Sequence, residues 1–271
     1  MANPEEKYLS YNDASIHYTL IGDGLPVMFV HGFAEDSSVW EKQIAFLKND
    51  YKLIIPDLPG TGQSTILKNE CIYVEDYAAG IKAILDAENI DQCIMIGHSM
   101  GGYITLAFAE KYPANLLAFG LFHSSAYADD EAKIEVRRKA IGFIRENGAE
   151  AFLKTSIPGL FFDAELSKDD IDCLLKKGNN FSPATLIQYY EAMIARPDRT
   201  ILLKESTTAV LLIIGQHDKA IPFNLSLEQA KMPAHSYIHI LRNSGHMGML
   251  EETDKANDFL KNFLSGFFNL S

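Results

Sequence analysis

The sequence predicts a parallel α/β sheet with flanking helices and a helical insertion between two of its strands. Short, continuously apolar runs recur along the chain, which is typical of strands that are buried on both faces of a parallel sheet. Helical patterns alternate with these runs, and such alternation favours the α/β class. Between residues 126 and 200, helical patterns follow one another with no convincing strand.

The predicted strands begin with residues 16–21, which are followed by the turn signal Gly22-Asp23-Gly24. Most later runs are apolar throughout, while the last one alternates weakly between apolar and polar residues. In chain order, these later strands are predicted at residues 27–30, 52–55, 93–96, 116–122, 209–214 and 237–241.

Helices are predicted from apolar residues that recur at helical spacing. Those between the strands lie at residues 39–47, 74–85 and 103–112, and those of the insertion at 132–144, 149–153, 168–177 and 184–195. We therefore expect a core formed by residues 1–125 and 201–271, with a helical cap at 126–200. Most aromatic residues of the insertion are predicted to form the cap core, namely Phe143, Phe152, Phe161, Phe162, Phe181, Tyr189 and Tyr190.

The composition is that of an ordinary globular protein. Of the 271 residues, 47% are hydrophobic and 22% are charged, which excludes disordered and low-complexity classes. The formal net charge of −12 argues against a nucleic-acid partner, because a phosphate backbone would be repelled. Small molecules remain the expected partners, and the oligomeric state is left open.

The sequence predicts neither a membrane span nor a secretory signal. Its longest apolar runs are far shorter than the roughly 20 residues that a bilayer requires. The N-terminal residues lack the apolar region of a signal peptide. Cys71, Cys93 and Cys173 have neither the number nor the spacing of a disulfide framework or a zinc site. We therefore expect a cytoplasmic protein whose thiols are free and buried.

The strongest chemical signal is the pentapeptide Gly97-His98-Ser99-Met100-Gly101. The G-x-S-x-G pattern alone is weak, but here it follows a predicted strand and precedes a predicted helix. That context is required for a nucleophile elbow, in which a sharp turn lifts the serine hydroxyl above the sheet. A serine that merely caps a helix is the structural alternative. The sequence therefore predicts Ser99 as a nucleophile.

A serine nucleophile needs a base, and His246 is the predicted one. It follows the last predicted strand, in a loop of the kind in which α/β sheets place their chemistry. His123 and His217 also follow strands and remain rivals. His98 adjoins Ser99, but the elbow directs neighbouring side chains apart.

Asp218 is the predicted acid that orients the base. It ends the strand before His246, which gives the chain order serine, aspartate, histidine. This order is the one found in hydrolases with an α/β sheet. A turn aspartate is the alternative. His235 and His239 are four residues apart, but no carboxylate completes a metal set, so no metal is expected.

Taken together, these motifs resemble those of α/β-hydrolases with a short cap, a group that includes small esterases, cofactor-free haloperoxidases and lactonases. The resemblance covers nearly the whole chain and is specific for fold and triad but not for substrate. The matching segments are His31-Gly32-Phe33, residues 57–64, Gly97 to Gly102, Gly215 to Asp218 and Gly245-His246.

The resemblance implies that the backbone N–H groups of Phe33 and Met100 form an oxyanion hole. It also disfavours epoxide hydrolysis and haloalkane dehalogenation, because the relatives with those activities carry aspartate where this chain has Ser99. Gly60 and Gly62 lack the remaining residues of a phosphate-binding loop, so no cofactor is expected.

The expected function is hydrolysis of a carboxylic ester or thioester with an apolar acyl part, through an acyl-enzyme. Two alternatives stay open at this point. The same triad could serve C–C bond hydrolysis, acyl transfer, perhydrolysis or lyase chemistry. The fold could also serve a non-enzymatic binding or receptor protein, because a fold does not determine a function.

Overall fold

The computed structural model describes residues 4–178 and 180–267. Eight strands form one sheet in the order β1-β2-β4-β3-β5-β6-β7-β8. The strands are β1 (Glu5–Tyr11), β2 (Ala14–Ile21), β3 (Pro26–Val30), β4 (Lys52–Pro56), β5 (Cys93–His98), β6 (Leu116–Phe122), β7 (Ala209–Gly215) and β8 (Ser236–Leu241).

The sheet is parallel from β4 to β8, and an antiparallel pair, β1 and β2, completes one edge. The prediction of a mostly parallel sheet with flanking helices is thus confirmed. Strand β1 was not predicted, because its residues alternate between exposed and half-buried and form no apolar run. The parallel register brings the carboxyl ends of β3, β5, β6 and β7 to one edge of the sheet, where the predicted chemical residues follow the strands.

Ten α-helices accompany these strands in the described residues. They are α1 (Glu41–Leu47), α2 (Val74–Ala87), α3 (Met100–Lys111), α4 (Glu131–Ser156), α5 (Lys168–Gly178), α6 (Pro183–Ala195), α7 (Thr200–Glu205), α8 (Phe223–Gln229), α9 (Gly248–Glu251) and α10 (Thr253–Ser265). Helix α4 is interrupted at Gly148, whose φ of 85° is non-helical and separates the two helical patterns predicted there.

Two clusters of buried apolar side chains hold the fold together. One joins β2 and β5 to α2 and α3, and the other joins β3 and β4 to α10 and to parts of α4 and α6. Trp40, Phe108 and Phe263 are among the largest side chains buried in these clusters. Because apolar surface is removed from water here, this burial is the main stabilising contribution to the fold.

The chain between β6 and β7 contains helices α4 to α7 and, within described residues 123–178 and 180–208, no strand. Of its aromatic residues, Phe152, Phe161, Phe181 and Tyr189 are buried. Phe143 and Phe162 are exposed, so they contribute less to the packing than predicted. The division of the chain at residues 126 and 200 stays a prediction.

The expectation of three buried thiols is wrong for two of them. Cys93 is buried in β5, but Cys71 and Cys173 are exposed. Cys71 lies in the loop before α2, and Cys173 lies on α5, whose sequence is rich in lysine and aspartate. In the described part of the chain, no helix is long and apolar enough to cross a membrane.

Candidate active site

Ser99 lies at the sharp turn between β5 and α3. Its φ of 50° and ψ of −115° are strained for a residue with a side chain. The backbone N–H of Ser99 donates to the carbonyl of Phe122 at 3.0 Å. The Ser124 hydroxyl donates to the carbonyl of Ser99 at 2.6 Å. Such strain costs about 1–3 kcal/mol and persists only where the surroundings enforce it, as at functional sites.

Two glycines allow the turn to pack this closely. A Cβ on Gly97 would lie 2.3 Å from the carbonyl oxygen of Gly101, and a Cβ on Gly101 would lie 2.2 Å from that of Val30. Both distances are far below van der Waals contact. The flanking glycines of the pentapeptide are therefore required by backbone packing.

The three predicted triad side chains form one hydrogen-bonded chain. Nε2 of His246 lies 2.8 Å from Oγ of Ser99, and Nδ1 of His246 lies 2.8 Å from Oδ2 of Asp218. A carboxylate only accepts, so Nδ1 carries the proton and Nε2 presents its lone pair to the hydroxyl. This arrangement can take a proton from Ser99.

The structure keeps Asp218 ionised. Burial alone would raise the pKa of its carboxyl, but attraction to His246 and hydrogen bonds outweigh burial and lower the pKa to about 2. The other oxygen, Oδ1, accepts the backbone N–H groups of Ala220 and Ile221 at 2.8 and 2.9 Å. The carboxylate is thus fixed in position as well as in charge.

The rival histidines serve other contacts. His123 is buried behind the site, where burial lowers the pKa of its ring well below the usual value. His217 stacks on Phe162 with 3.8 Å between ring centroids. Among the residues that the structure describes, only His246 has a ring nitrogen within hydrogen-bond distance of the Ser99 hydroxyl.

His98 points away from the cavity and meets Glu35, a residue that sequence reasoning missed. Its Nδ1 lies 2.9 Å from Oε1 of Glu35, and its Nε2 lies 2.9 Å from the carbonyl oxygen of His246. Glu35 also accepts the backbone N–H of Gly32 at 2.6 Å. No known motif marks this glutamate, so only the fold reveals its partners.

The two predicted oxyanion donors belong to segments next to Ser99 in the chain or in the cavity wall. Met100 is the first residue of α3, where helix geometry leaves the backbone N–H without an intrahelical acceptor. Phe33 follows β3, and its side chain lines the same cavity as Ser99. Its ring packs on Tyr190 with 4.3 Å between centroids. The role of these two N–H groups stays a prediction.

A cavity of about 450 Å³ opens above Ser99 and His246. Its apolar and aromatic lining comes from the loops after β3 and β7, from helices α3 and α8 and from the insertion: Phe33, Tyr103, Val136, Leu160, Tyr190, Met193, Ile221, Pro222 and Leu225. Lys133, Arg137 and Lys219 add positive charge to this lining. A volume of this size is suited to a small organic molecule.

The insertion also contacts the loop after β8, which carries His246. The backbone N–H of His246 donates to the carbonyl of Leu160 at 2.6 Å. The Glu251 carboxylate accepts the N–H of Phe162 at 2.7 Å and that of Gly245 at 2.9 Å. The insertion and the loop of His246 are thus joined by one backbone–backbone bond and by the bridging side chain of Glu251. Burial raises the pKa of the Glu251 carboxyl above its usual value.

Residues 26–134 match a family model described as the alpha/beta hydrolase fold. A solved esterase from Thermogutta terrifontis superimposes with a TM-score of 0.90 at 24% identity, covering 98% of this chain and 99% of that one. Among curated relatives, a pimeloyl-[acyl-carrier protein] methyl ester esterase of Legionella pneumophila is 25% identical over 92% of this chain and 99% of its own length. A 2-hydroxy-6-oxononadienedioate/2-hydroxy-6-oxononatrienedioate hydrolase of Dechloromonas aromatica is 26% identical over 93% and 91%.

The sheet topology and the position of Ser99 at the carboxyl edge of the sheet agree with these matches. The chain has the α/β-hydrolase fold, and residues 26–134 match the family model of that fold. Esterases and other hydrolases are prominent among its relatives, and these relatives support an enzyme of the hydrolase type. The resemblance inferred from the motifs is thereby confirmed.

Proposed function

We propose that the protein hydrolyses a carboxylic ester or thioester of a small molecule through a covalent acyl-enzyme. The observation that carries this proposal is the unbroken hydrogen-bonded chain from Ser99 through His246 to Asp218 at the floor of the cavity. The esterase names among the relatives support the same substrate class.

In the proposed first half-reaction, Oγ of Ser99 attacks the substrate carbonyl while Nε2 of His246 takes its proton. The ionised Asp218 stabilises the imidazolium that results. The N–H groups of Phe33 and Met100 donate to the oxyanion, where fixed donors stabilise developing charge without reorganisation. His246 then protonates the leaving alcohol or thiol as the tetrahedral intermediate collapses to the acyl-enzyme.

The second half-reaction repeats these roles with water as the nucleophile. His246 removes a proton from water, the hydroxide adds to the acyl carbonyl, and Ser99 leaves with the proton returned by His246. We also propose that residues 126–200 act as a cap on a core of residues 1–125 and 201–271. The cap residues that line the cavity would then select the substrate.

A covalent probe tests the nucleophile directly. A fluorophosphonate should label the wild-type protein once and should not label Ser99→Ala. Ser125→Ala is the matched control, since this serine lies near the site but outside the triad, and it should label normally. Labelling that persists in Ser99→Ala would refute the assignment, as would a failure of the wild type to turn over p-nitrophenyl acetate.

A further inference from the structure

The cavity above Ser99 has a positively charged end, although the whole chain carries a formal net charge of −12. Lys133 and Arg137 are four residues apart on α4 and line that end together, because such spacing places two side chains on one helix face. Lys219 approaches from the loop after β7. This excess of cations runs against the charge of the molecule.

The acidic residues of the lining do not neutralise these cations. The Glu35 carboxylate is already engaged with His98, at 2.9 Å. The Asp130 side chain caps the start of α4 and accepts the backbone N–H of Lys133 at 2.8 Å. Asp130 is exposed to solvent, which screens its charge.

Arg137 lies in the cavity wall, where its side chain is largely buried and held in place. Its guanidinium pairs with Asp129, and one of its nitrogens lies 3.3 Å from the sulfur of Met193. The buried Asp129 carboxylate also binds Arg196 at 2.8 Å. Nζ of Lys133 lies 3.9 Å from the same carboxylate, so three cations share one anion, which leaves an excess of positive charge beside the cavity.

Tyr103 supplies a hydroxyl to the same end. Its side chain is only 3% exposed and lines the cavity, and Arg196 lies over its ring at 3.9 Å from the centroid. Within residues 4–178 and 180–267, its hydroxyl has no hydrogen-bond partner. Burial would raise the pKa of Tyr103, but Arg196, Lys133 and Arg137 outweigh it and lower the pKa. The tyrosine thus lies in a positive field with a free donor.

We propose that this end of the cavity binds a carboxylate of the substrate, through Lys133, Arg137 and the Tyr103 hydroxyl, while the ester carbonyl lies at Ser99. The apolar lining between the two ends fits a hydrocarbon spacer. The substrate class is then the half-ester of a dicarboxylic acid. This inference rests on the proposed ester hydrolysis and adds that the substrate carries a free carboxylate.

The kinetic test compares monomethyl adipate, which carries one carboxylate, with neutral dimethyl adipate. The wild type should have at least about tenfold higher kcat/KM for the monoester, since hydrogen bonds to charged groups are the stronger ones. Lys133→Gln and Arg137→Gln should each lower this ratio several-fold. Because Arg137 is largely buried, circular dichroism should confirm that Arg137→Gln is folded. Lys139→Gln is the matched control, because it removes the same charge from an exposed position of the same helix and should keep the wild-type ratio.

A binding test works even if turnover fails. Calorimetry on Ser99→Ala should give a lower Kd for monomethyl adipate than for dimethyl adipate, and added Lys133→Gln should reduce the difference. Equal binding of the two esters, or an effect of Lys139→Gln as large as that of Lys133→Gln, would overturn the inference. Preferential binding of the monoester without any ester turnover would support the carboxylate site and count against the proposed function instead.

Discussion

Oε1 of Glu35 lies 2.9 Å from Nδ1 of His98, the residue that precedes Ser99, and both side chains are buried. The opposite ring nitrogen of His98 donates to the carbonyl of His246 at 2.9 Å. A ring that donates from both nitrogens is cationic. Burial opposes that charge, but Glu35 outweighs burial and raises the pKa of His98. Through His98, the ion pair therefore connects Glu35 in the loop after β3 to the backbone of His246.

Glu35→Gln should destabilise the protein, because it leaves a buried imidazole without its counter-charge. We expect a loss of about 1–3 kcal/mol in the free energy of unfolding, measured by urea titration. The pKa of Glu35 is lowered despite its burial, chiefly by His98, so its contribution is complete above the ordinary glutamate pKa of 4.5 and is lost as the pH falls through the lowered value.

Because the pKa of His98 is raised, its contribution to the free energy of unfolding has the opposite pH dependence. Its contribution is complete below the ordinary histidine pKa of 6.5 and is lost as the pH rises through the raised value. The stability difference between wild type and Glu35→Gln should therefore be largest between about pH 4.5 and 6.5. A difference that does not vary with pH would contradict an ion pair.

Asp218→Asn should lower kcat for p-nitrophenyl acetate by about 10⁴, because asparagine favours the wrong imidazole tautomer. The pKa of Asp218 near 2 means that its carboxylate stays charged throughout an ordinary assay range. Asp218 therefore contributes stability above its usual pKa of 3.8, and this is lost as the pH falls through about 2. The exposed Asp169→Asn is the control, and a loss below tenfold in Asp218→Asn would place the orienting acid elsewhere.

Phe33→Ala and Phe33→Pro should differ in kcat. Alanine keeps the backbone N–H and removes the ring with its contacts to Phe152, Tyr189 and Tyr190, whereas proline removes the donor itself. One lost oxyanion donor costs roughly 10²–10³ in kcat. Circular dichroism shows whether both variants are folded. Equal losses in the two would assign the role of Phe33 to its side chain.

Gly101→Ala should prevent normal folding of the elbow, because its Cβ would lie 2.2 Å from the carbonyl oxygen of Val30. We expect a loss of at least about 1–3 kcal/mol in unfolding free energy and a loss of fluorophosphonate labelling. Gly142→Ala is the control on α4, where, beyond the helix's own backbone and the two chain neighbours, no atom of the described residues lies within 4 Å of the added Cβ. This change should stabilise the helix by roughly 0.5–1 kcal/mol.

Met193→Ala should change acyl-chain selectivity without removing activity. Met193 is buried in the insertion and lines the cavity, so its truncation makes room for a longer chain. The change in kcat/KM between homologous esters should be about 1–3 kcal/mol per methylene that gains or loses its fit. Measurement over p-nitrophenyl esters of increasing length tests this, and an unchanged chain-length profile would contradict a selective role of the proposed cap.

The sequence predicted the strands that are buried on both faces to within about two residues at each end, because a short, continuous apolar run between polar turns is typical of such a strand. It also predicted Ser99, Asp218 and His246, which the structure brings into one hydrogen-bonded chain. These residues follow strands whose carboxyl ends meet at one edge of the sheet. The local sequence pattern and the parallel topology were therefore sufficient to predict that they lie together.

The sequence could not predict features that arise from tertiary packing. Strand β1 is an edge strand with no apolar run, and the exposure of Cys71 depends on where its loop lies. The positive end of the cavity combines Tyr103 of α3 with Lys133 and Arg137 of α4. Helical spacing places the last two side by side, but it does not reveal which surface that helix face meets.

The backbone bond between His246 and Leu160 has a consequence for protein engineering. The carbonyl oxygen of Leu160, in the insertion, accepts the backbone N–H of His246 at 2.6 Å. The insertion is therefore not a module that can be cut out as a whole and replaced by that of a relative. The short segment 157–162 would have to stay with the host core, together with its bond to Glu251. A chimera that replaces this segment would lose the bond to the His246 backbone, whereas one that replaces only α5 to α7 would keep it.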